Sequence, residues 1–431
     1  MLELLDLRSR RERLEPRHLE VDPSIAATVA GLIDDVRQRR DKALFDLTLK
    51  FDGADLREHG LVVTPEEFLG AREATPESLR AALDALVLRL EALCSRQLPL
   101  PWEVEEGGVR AGEIVRPLRA TGCYVPGGRA SYPSSVAMTV VPARVAGVEE
   151  IVVCTPPSAD ASIPPAVVYA AERAGATKVV KTGGAQAIAA MALGTESVPA
   201  VDRIVGPGNA YVTEAKRQLI GRVGIDGLAG PSELVLVADT TAEPRLIAAD
   251  LVTQAEHDPD AVAVFVTTDI SLVEPVRAAV EEELLRAERR EIIEQSLASS
   301  KAVVVADLDA AAQVVNDIAP EHLQVMTEDA GAFISRVRNA GAIFLRETTP
   351  VPFGDYGVAS NHVLPTAGTA RFASGLRASD FVTVSSVVYL DAGAARRLAP
   401  EVTEIARAEG LSAHAHAVEI RTAAPAEEPK R

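Results

Sequence analysis

The chain has 431 residues, enough for two or three domains, and its 47% hydrophobic and 25% charged residues suit a folded globular protein. With 44 Lys and Arg against 62 Asp and Glu, the net charge of −18 repels phosphate backbones and anionic lipid, so neither nucleic acid nor a membrane is an expected partner. No apolar run approaches the roughly 18 residues of a membrane span, and the N-terminus carries charge where a secretion signal needs an unbroken apolar stretch, so a cytoplasmic location is expected.

Residues 24–95 read as helical, in long Ala/Leu/Arg/Glu segments such as Ser24–Lys50 and Pro65–Arg96. Pro99, Pro101 and the Gly107-Gly108 pair break that pattern before short strands around Val109–Arg116. From 121 to 231, strands, Gly/Pro loops and helices alternate. Ile151–Thr155 precedes a helix over Ala166–Ala174, Lys178–Lys181 an Ala-rich helix to Leu193, and Arg203–Val205 a helix over Ala210–Leu219. Apolar strands alternating with helices predict a parallel, doubly wound sheet. A second α/β set follows, with strands at Leu234–Ala238, Ala261–Thr267, Ala302–Ala306 and Ala342–Leu345 and helices over 244–257, 271–288 and 309–318. A strand at Phe381–Leu390 leads to two helices separated by Gly410, and the Ala/Pro/Glu-rich residues 423–431 read as disordered.

Three Gly-rich loops stand at predicted strand–helix junctions: Tyr124-Val125-Pro126-Gly127-Gly128, Gly183-Gly184-Ala185-Gln186 and Gly206-Pro207-Gly208-Asn209-Ala210-Tyr211. One such loop reads as a tight turn; three at the carboxyl ends of one sheet favour a ligand crevice at its switch point. The last is not the dinucleotide fingerprint, because Tyr211 stands where the third Gly belongs. Gln254 and His257 are spaced to share a helix face, as chelating pairs do, although a solvated face has the same spacing. Asp355 in a Gly-flanked loop, His362, and one of His414 or His416 could add nitrogen and oxygen ligands for a zinc-like cation.

Ala319-Pro320-Glu321-His322-Leu323 is the sharpest local feature. A helix ends near Ile318, and Pro320 is placed to start another with Glu321 and His322 in its first turn. There the helix dipole favours an ionised Glu321 and a neutral His322, a carboxylate beside a general base. An ordinary acidic first turn with a packed His fits the same residues. Ser232 precedes a strand and lacks the following Gly of a hydrolase elbow. Cys94, Cys123 and Cys154 show no metal or disulfide spacing, and nothing near Cys123 activates a thiolate.

Eight segments in order, from Tyr124-Val125-Pro126-Gly127-Gly128 through Ala229-Gly230-Pro231-Ser232-Glu233, Gln254-Ala255-Glu256-His257, Ala319–Leu323 and Asn361–Thr366 to Ala408–His414, resemble the histidinol dehydrogenase family over roughly residues 25–421. The resemblance implies two Rossmann-like doubly wound sheet domains plus a small helical C-terminal tail. Residues 1–120 would hold a helical region and the start of the first domain, 121–231 the NAD-binding domain, 232–378 the metal and catalytic domain, and 379–431 a tail reaching a dimer partner's active site. It further implies one zinc ion per subunit on Gln254, His257, Asp355 and His414, catalysis by Glu321 and His322, and NAD contacts from Tyr124, Gln186 and Asn209. Substrate contacts would come from Ser232, His362 and Glu409 beside His322 and the metal ligands, and the substrate would be L-histidinol. Two positions depart from the family's habit: Ala359 where Gly is common, and Val382-Thr383 where a Lys is frequent. The competing reading is a related zinc- and NAD-dependent dehydrogenase of another polar alcohol, such as dihydroxypropanesulfonate, against which Glu409 and His362 argue.

Overall fold

The computed structural model describes residues 2–9, 13–19, 22–127, 131–358 and 360–423; Gly128, Ala359 and the expected disordered stretch from 424 onward lie outside the described residues. Each long helical segment of the N-terminal region is two helices. Pro23–Arg39 and Asp41–Asp52 part at Arg40, whose φ of 54° no helix accommodates. Pro65–Ala74 and Glu77–Cys94 part at Thr75-Pro76, because the residue before Pro is pushed out of the helical region.

Strands, numbered in chain order, are β1 (Glu3–Asp6), β2 (Trp102–Glu106), β3 (Val109–Pro117), β4 (Ala120–Tyr124), β5 (Glu150–Thr155), β6 (Lys178–Lys181), β7 (Arg203–Val205), β8 (Gly224–Ile225), β9 (Glu233–Ala238), β10 (Val262–Thr267), β11 (Lys301–Val304), β12 (His322–Met326), β13 (Ala342–Leu345) and β14 (Val382–Leu390). Five of them form a parallel sheet in the order β6-β5-β4-β7-β8, and six form another in the order β1-β11-β10-β9-β12-β13. Both sheets wind outward from their first long strand and then reverse, so each has a switch point: between β4 and β7 in the first sheet, and between β9 and β12 in the second. Helices cover both faces, which is why strands such as β9 are buried at every residue and read as continuous apolar runs. These are the two doubly wound α/β layers that the alternation predicts.

The chain forms two compact units, a core of residues 1–97 with 118–381 and an arm of residues 98–117 with 382–431. In the arm, β2, β3 and β14 make an antiparallel sheet, and helices Ala392–Ala408 and Ser412–Thr422 pack together. Its own core is meagre: Ala394 and Thr403 are the buried residues of the first helix and Ala415 of the second, while Val384, Val388, Tyr389, Ile405 and Ile420 are exposed. Among the described residues no helix is long and apolar enough to cross a membrane.

One expectation fails at the centre of the molecule. Pro320 does not open a helix. Helix Leu308–Ile318 ends at Ala319 in the left-handed region (φ 52°), and the chain then enters β12 at His322. Local spacing favours a helix start, but pairing of β12 with β9 on one side and β13 on the other decides for a strand. At the far end, Ser412 is the first residue of its helix, and Leu411 takes the cap position without a side-chain hydrogen bond.

Candidate active site

The carboxyl ends of the first sheet carry the three Gly loops, and the loops close on Tyr124. Its buried hydroxyl accepts a hydrogen bond from the Gly184 N–H (3.1 Å), at the start of helix Gly184–Leu193. A Cβ on Gly206, where φ is 114°, would lie 2.0 Å from the Tyr124 carbonyl oxygen. Lys216 and Asp226 hold that loop from beneath. Lys216 Nζ donates to the Gly206 carbonyl (2.6 Å) and to Asp226 Oδ1 (2.6 Å), and Asp226 Oδ2 accepts from the Gly206 N–H (2.6 Å). Gln186 is buried in the first turn of helix Gly184–Leu193, and Asn209 caps helix Ala210–Leu219 by accepting from Tyr211 N and Val212 N. The N-termini of helices Gly184–Leu193 and Ala210–Leu219, at two of these loops, present positive dipole ends, an environment that suits a pyrophosphate.

The second sheet gathers the other predicted residues, at the amino ends of its strands. Ser232 immediately precedes β9; Glu321 immediately precedes β12, which His322 begins. Glu321 Oε2 accepts from Ser232 Oγ and from the Glu233 N–H (3.0 Å), and lies 3.6 Å from His322 Nδ1. Burial pushes Glu321 up to about 7, with Ser232, Glu233 and His257 pulling it partly back. Burial also holds His322 below its ordinary range, against the opposing charge of Asp355, so the imidazole is neutral. Neutrality thus comes from exclusion of water, not from the helix dipole that a Pro320 helix would have supplied. Neither ring nitrogen of His322 has a hydrogen-bond partner.

Gln254 sits in the last turn of helix Pro244–Ala255, and His257 lies just beyond its end, exposed, with its N–H donating to the Gln254 carbonyl (3.4 Å). Gln254 is 1% exposed, yet neither its amide oxygen nor its amide nitrogen has a partner. Asp355 is buried in a π-helical turn, Phe353–Gly357, and burial pushes it up to about 6, with His322 opposing. His362 is driven down to about 4 by burial, with the charges of His322 and His257 acting in the same direction. Electrostatic reach therefore groups His257, Glu321, His322, Asp355 and His362. Among the described residues, no cluster of three or more His, Cys, Asp and Glu side chains forms a metal site.

Glu409 and His414 belong to the arm. Glu409 ends helix Ala392–Ala408, Gly410 turns with φ 77°, and His414 lies exposed in the first turn of helix Ser412–Thr422. All three thiols are buried; Cys123 is pushed up to about 12, which removes it as a nucleophile. Sequence reading missed the Lys216–Asp226 clamp, which has no local signature, and Glu233, whose signal was a carboxylate opening an otherwise apolar strand.

Comparison with known proteins shows the family and the fold. The histidinol dehydrogenase family matches residues 15–422. Curated histidinol dehydrogenases from Methanothermobacter thermautotrophicus and Rhizobium meliloti are 45% and 48% identical, covering 96% and 93% of this chain and 97% and 93% of their own. The crystal structure of histidinol dehydrogenase from Elizabethkingia anophelis superposes with a TM-score of 0.93 at 34% identity, covering 97% of this chain and 98% of that one. The chain belongs to the histidinol dehydrogenase family.

Proposed function

We propose that this protein oxidises L-histidinol to L-histidinaldehyde and then to L-histidine, the last steps of histidine biosynthesis, passing two hydrides to two NAD+ in turn. The observation that carries the reading is the Glu321–His322 pair, a base with both nitrogens free and a carboxylate beside it, shielded from water in a chain of this family. Neutral His322 takes the hydroxyl proton as hydride leaves the carbinol carbon. Glu321, oriented by Ser232 and the Glu233 N–H, takes a proton from water as it adds to the aldehyde, and the resulting gem-diolate loses the second hydride to give the carboxylic acid. Tyr124, Gln186 and Asn209 line the first crevice, where bound NAD+ supplies the hydride acceptor.

The residues of the second site fit a zinc ion. The set offers a buried amide with no partner, a buried carboxyl raised by desolvation and an imidazole, and Gln254 and His257 stand at the negative end of a helix, where a cation is favoured. Gln254, His257, Asp355 and His414 would hold it, and bound there it supplies a positive charge that anchors the imidazole and amine of the substrate. Ser232, His362 and Glu409 complete the substrate contacts. The apolar surface of the arm supports a cytoplasmic homodimer with shared sites, each arm being covered by the partner and delivering Glu409 and His414 in trans.

The test is stoichiometry. Metal-replete protein should form two NADH per L-histidinol, read at 340 nm, with histidine as product; one NADH with aldehyde accumulating would sink the four-electron reading. Sharing is tested by mixing inactive His414→Ala and His322→Ala homodimers under subunit exchange. About a quarter of all sites should regain activity, because half the dimers are mixed and each mixed dimer holds one intact site. No recovery despite exchange proven by mass spectrometry would mean the arm acts in cis.

A further inference from the structure

A second carboxylate lies behind Glu321, and the reaction proposed above gives it no role. Glu233 is 4% exposed, opens β9, and gives its own N–H to Glu321 Oε2 (3.0 Å), so the two acids are joined through one residue. Its Oε2 is buried with no hydrogen-bond partner. On the opposite side it lines a cavity of about 410 Å³, walled by Val235, Val264, Ile318 and the N-terminal stretch Arg13–Arg17. The exposed Glu15 and Arg17 stand in that wall, so the cavity joins Glu233 to solvent.

A buried carboxylate oxygen left without a partner at the head of an apolar strand costs stability, which calls for a functional reason to keep it. Proton removal supplies one. Each aldehyde oxidation breaks an O–H bond of water and leaves its proton on Glu321, while substrate and dinucleotide cover the front of the site. Glu321 must lose that proton before it can act again. Resting on the reading of Glu321 as the water-activating base, we propose that Glu233 is the acceptor that drains Glu321, passing its proton through the rear cavity to solvent.

Atoms and charges balance in this transfer. The proton moves from Glu321 to a Glu233 carboxylate oxygen and then to cavity water, no electrons move, and Glu233 returns to its starting state. The groups facing Glu233 suit a relay. Glu321 raises its proton affinity, whereas Arg17 and the Ala367 backbone lower it. Arg13, Glu15 and Lys301 complete the charged wall of the cavity. Burial, aided by Glu321, pushes Glu233 up to about 7, so it can take up and release a proton near neutral pH. Glu233 touches no reacting atom in this scheme and is a positioning and relay residue.

The test is Glu233→Gln in metal-replete enzyme with supplied histidinaldehyde and saturating NAD+, in dilute buffer. At a pH well above 7, the first turnover of NADH in stopped flow should keep its wild-type rate, because Glu321 then starts deprotonated. Later turnovers should slow about tenfold, with the proton, followed by a pH indicator, appearing after NADH. Inorganic phosphate, small enough for the cavity, should restore the steady-state rate, which no packing defect would allow. Arg17→Ala, an exposed change that leaves the core intact, should slow the steady state about threefold without touching the first turnover. Unchanged turnover of Glu233→Gln in dilute buffer, or a slowed first turnover insensitive to phosphate, overturns the relay. Glu321→Gln in the same assay separates the two ideas: if aldehyde oxidation survives it, the base assignment itself is wrong.

Discussion

The two parallel sheets of the core wind in the same order but work at opposite ends. The first places its Gly loops at the carboxyl ends of β4, β6 and β7, each loop but that of Tyr124 opening directly into a helix N-terminus. The second places Ser232, Glu321 and His322 at the amino ends of β9 and β12, with Gln254 and His257 at the end of helix Pro244–Ala255. In a doubly wound fold, helix N-termini flank the carboxyl ends of strands and helix C-termini flank the amino ends. One edge therefore presents N–H groups and positive dipole ends suited to phosphate, and the other presents negative dipole ends suited to a cation and to proton-accepting groups. On the proposed function, the sheet edge would select the charge of the ligand, with one fold used twice for the two halves of a dehydrogenase.

The largest effects should come from breaking the amino-end site. His322→Asn should slow both oxidations, since each releases a proton, by on the order of 10²–10⁴-fold in kcat. Glu321→Gln should strike mainly the aldehyde step, measured with supplied histidinaldehyde against histidinol. Equal losses on both substrates would show that the two residues act as one unit. Chelation comes next. Removal of the metal should abolish turnover while the far-ultraviolet circular dichroism stays folded, because three of the proposed ligands, Gln254, His257 and Asp355, belong to the unit that carries its own large apolar cores. Collapse of the dichroism signal would make the metal structural.

The carboxyl-end site should respond differently. Lys216→Met removes the cation clamping Gly206 and Asp226, and it should raise the KM for NAD+ about tenfold with the KM for histidinol unchanged. A parallel rise in both constants would mean the two edges are mechanically coupled. The smallest effect concerns pH. Burial pushes Glu321 and Asp250 up to about 7 in the folded protein, from ordinary values near 4. A raised acid contributes stability that is complete below its unfolded value and is lost as pH rises through the folded one. Metal-free protein should therefore become less stable between about pH 4 and pH 7 on account of these groups. Asp250→Asn, one helical turn before the proposed ligand Gln254, should in metal-free protein raise the melting temperature by a few degrees at pH 8 and leave it unchanged at pH 4. A rise of equal size at both pH values would show that packing, not ionisation, governs that position.

Much of the candidate site is legible because its chemistry needs rare residues in fixed local order. Gly206-Pro207-Gly208-Asn209 announces a strand–helix junction by itself, and the structure builds one there. Ala319-Pro320-Glu321-His322 announces chemistry but misleads about structure. Four residues cannot report that β9 and β13 wait on either side to pair with the next segment, so a plausible helix start becomes the buried strand β12. The error carries a wrong electrostatic cause with it, a helix dipole in place of desolvation. Arg40 and Pro76 show the same limit on a smaller scale, each dividing a segment whose composition is uniformly helix-forming.

Sequence alone determined the alternation of strands and helices, the Gly loops and the identity of the polar residues available for catalysis, because each depends on local spacing or on a side chain's own chemistry. Tertiary structure alone decided that His322 is neutral, that Glu321 titrates near 7, that Gln254 is buried without a partner and that Glu233 stands between Glu321 and a solvent cavity. Those properties arise from water exclusion and from neighbours brought together across nearly a hundred residues of chain, as Ser232 is to Glu321. No local pattern records either, since desolvation belongs to the assembled interior rather than to any segment of it.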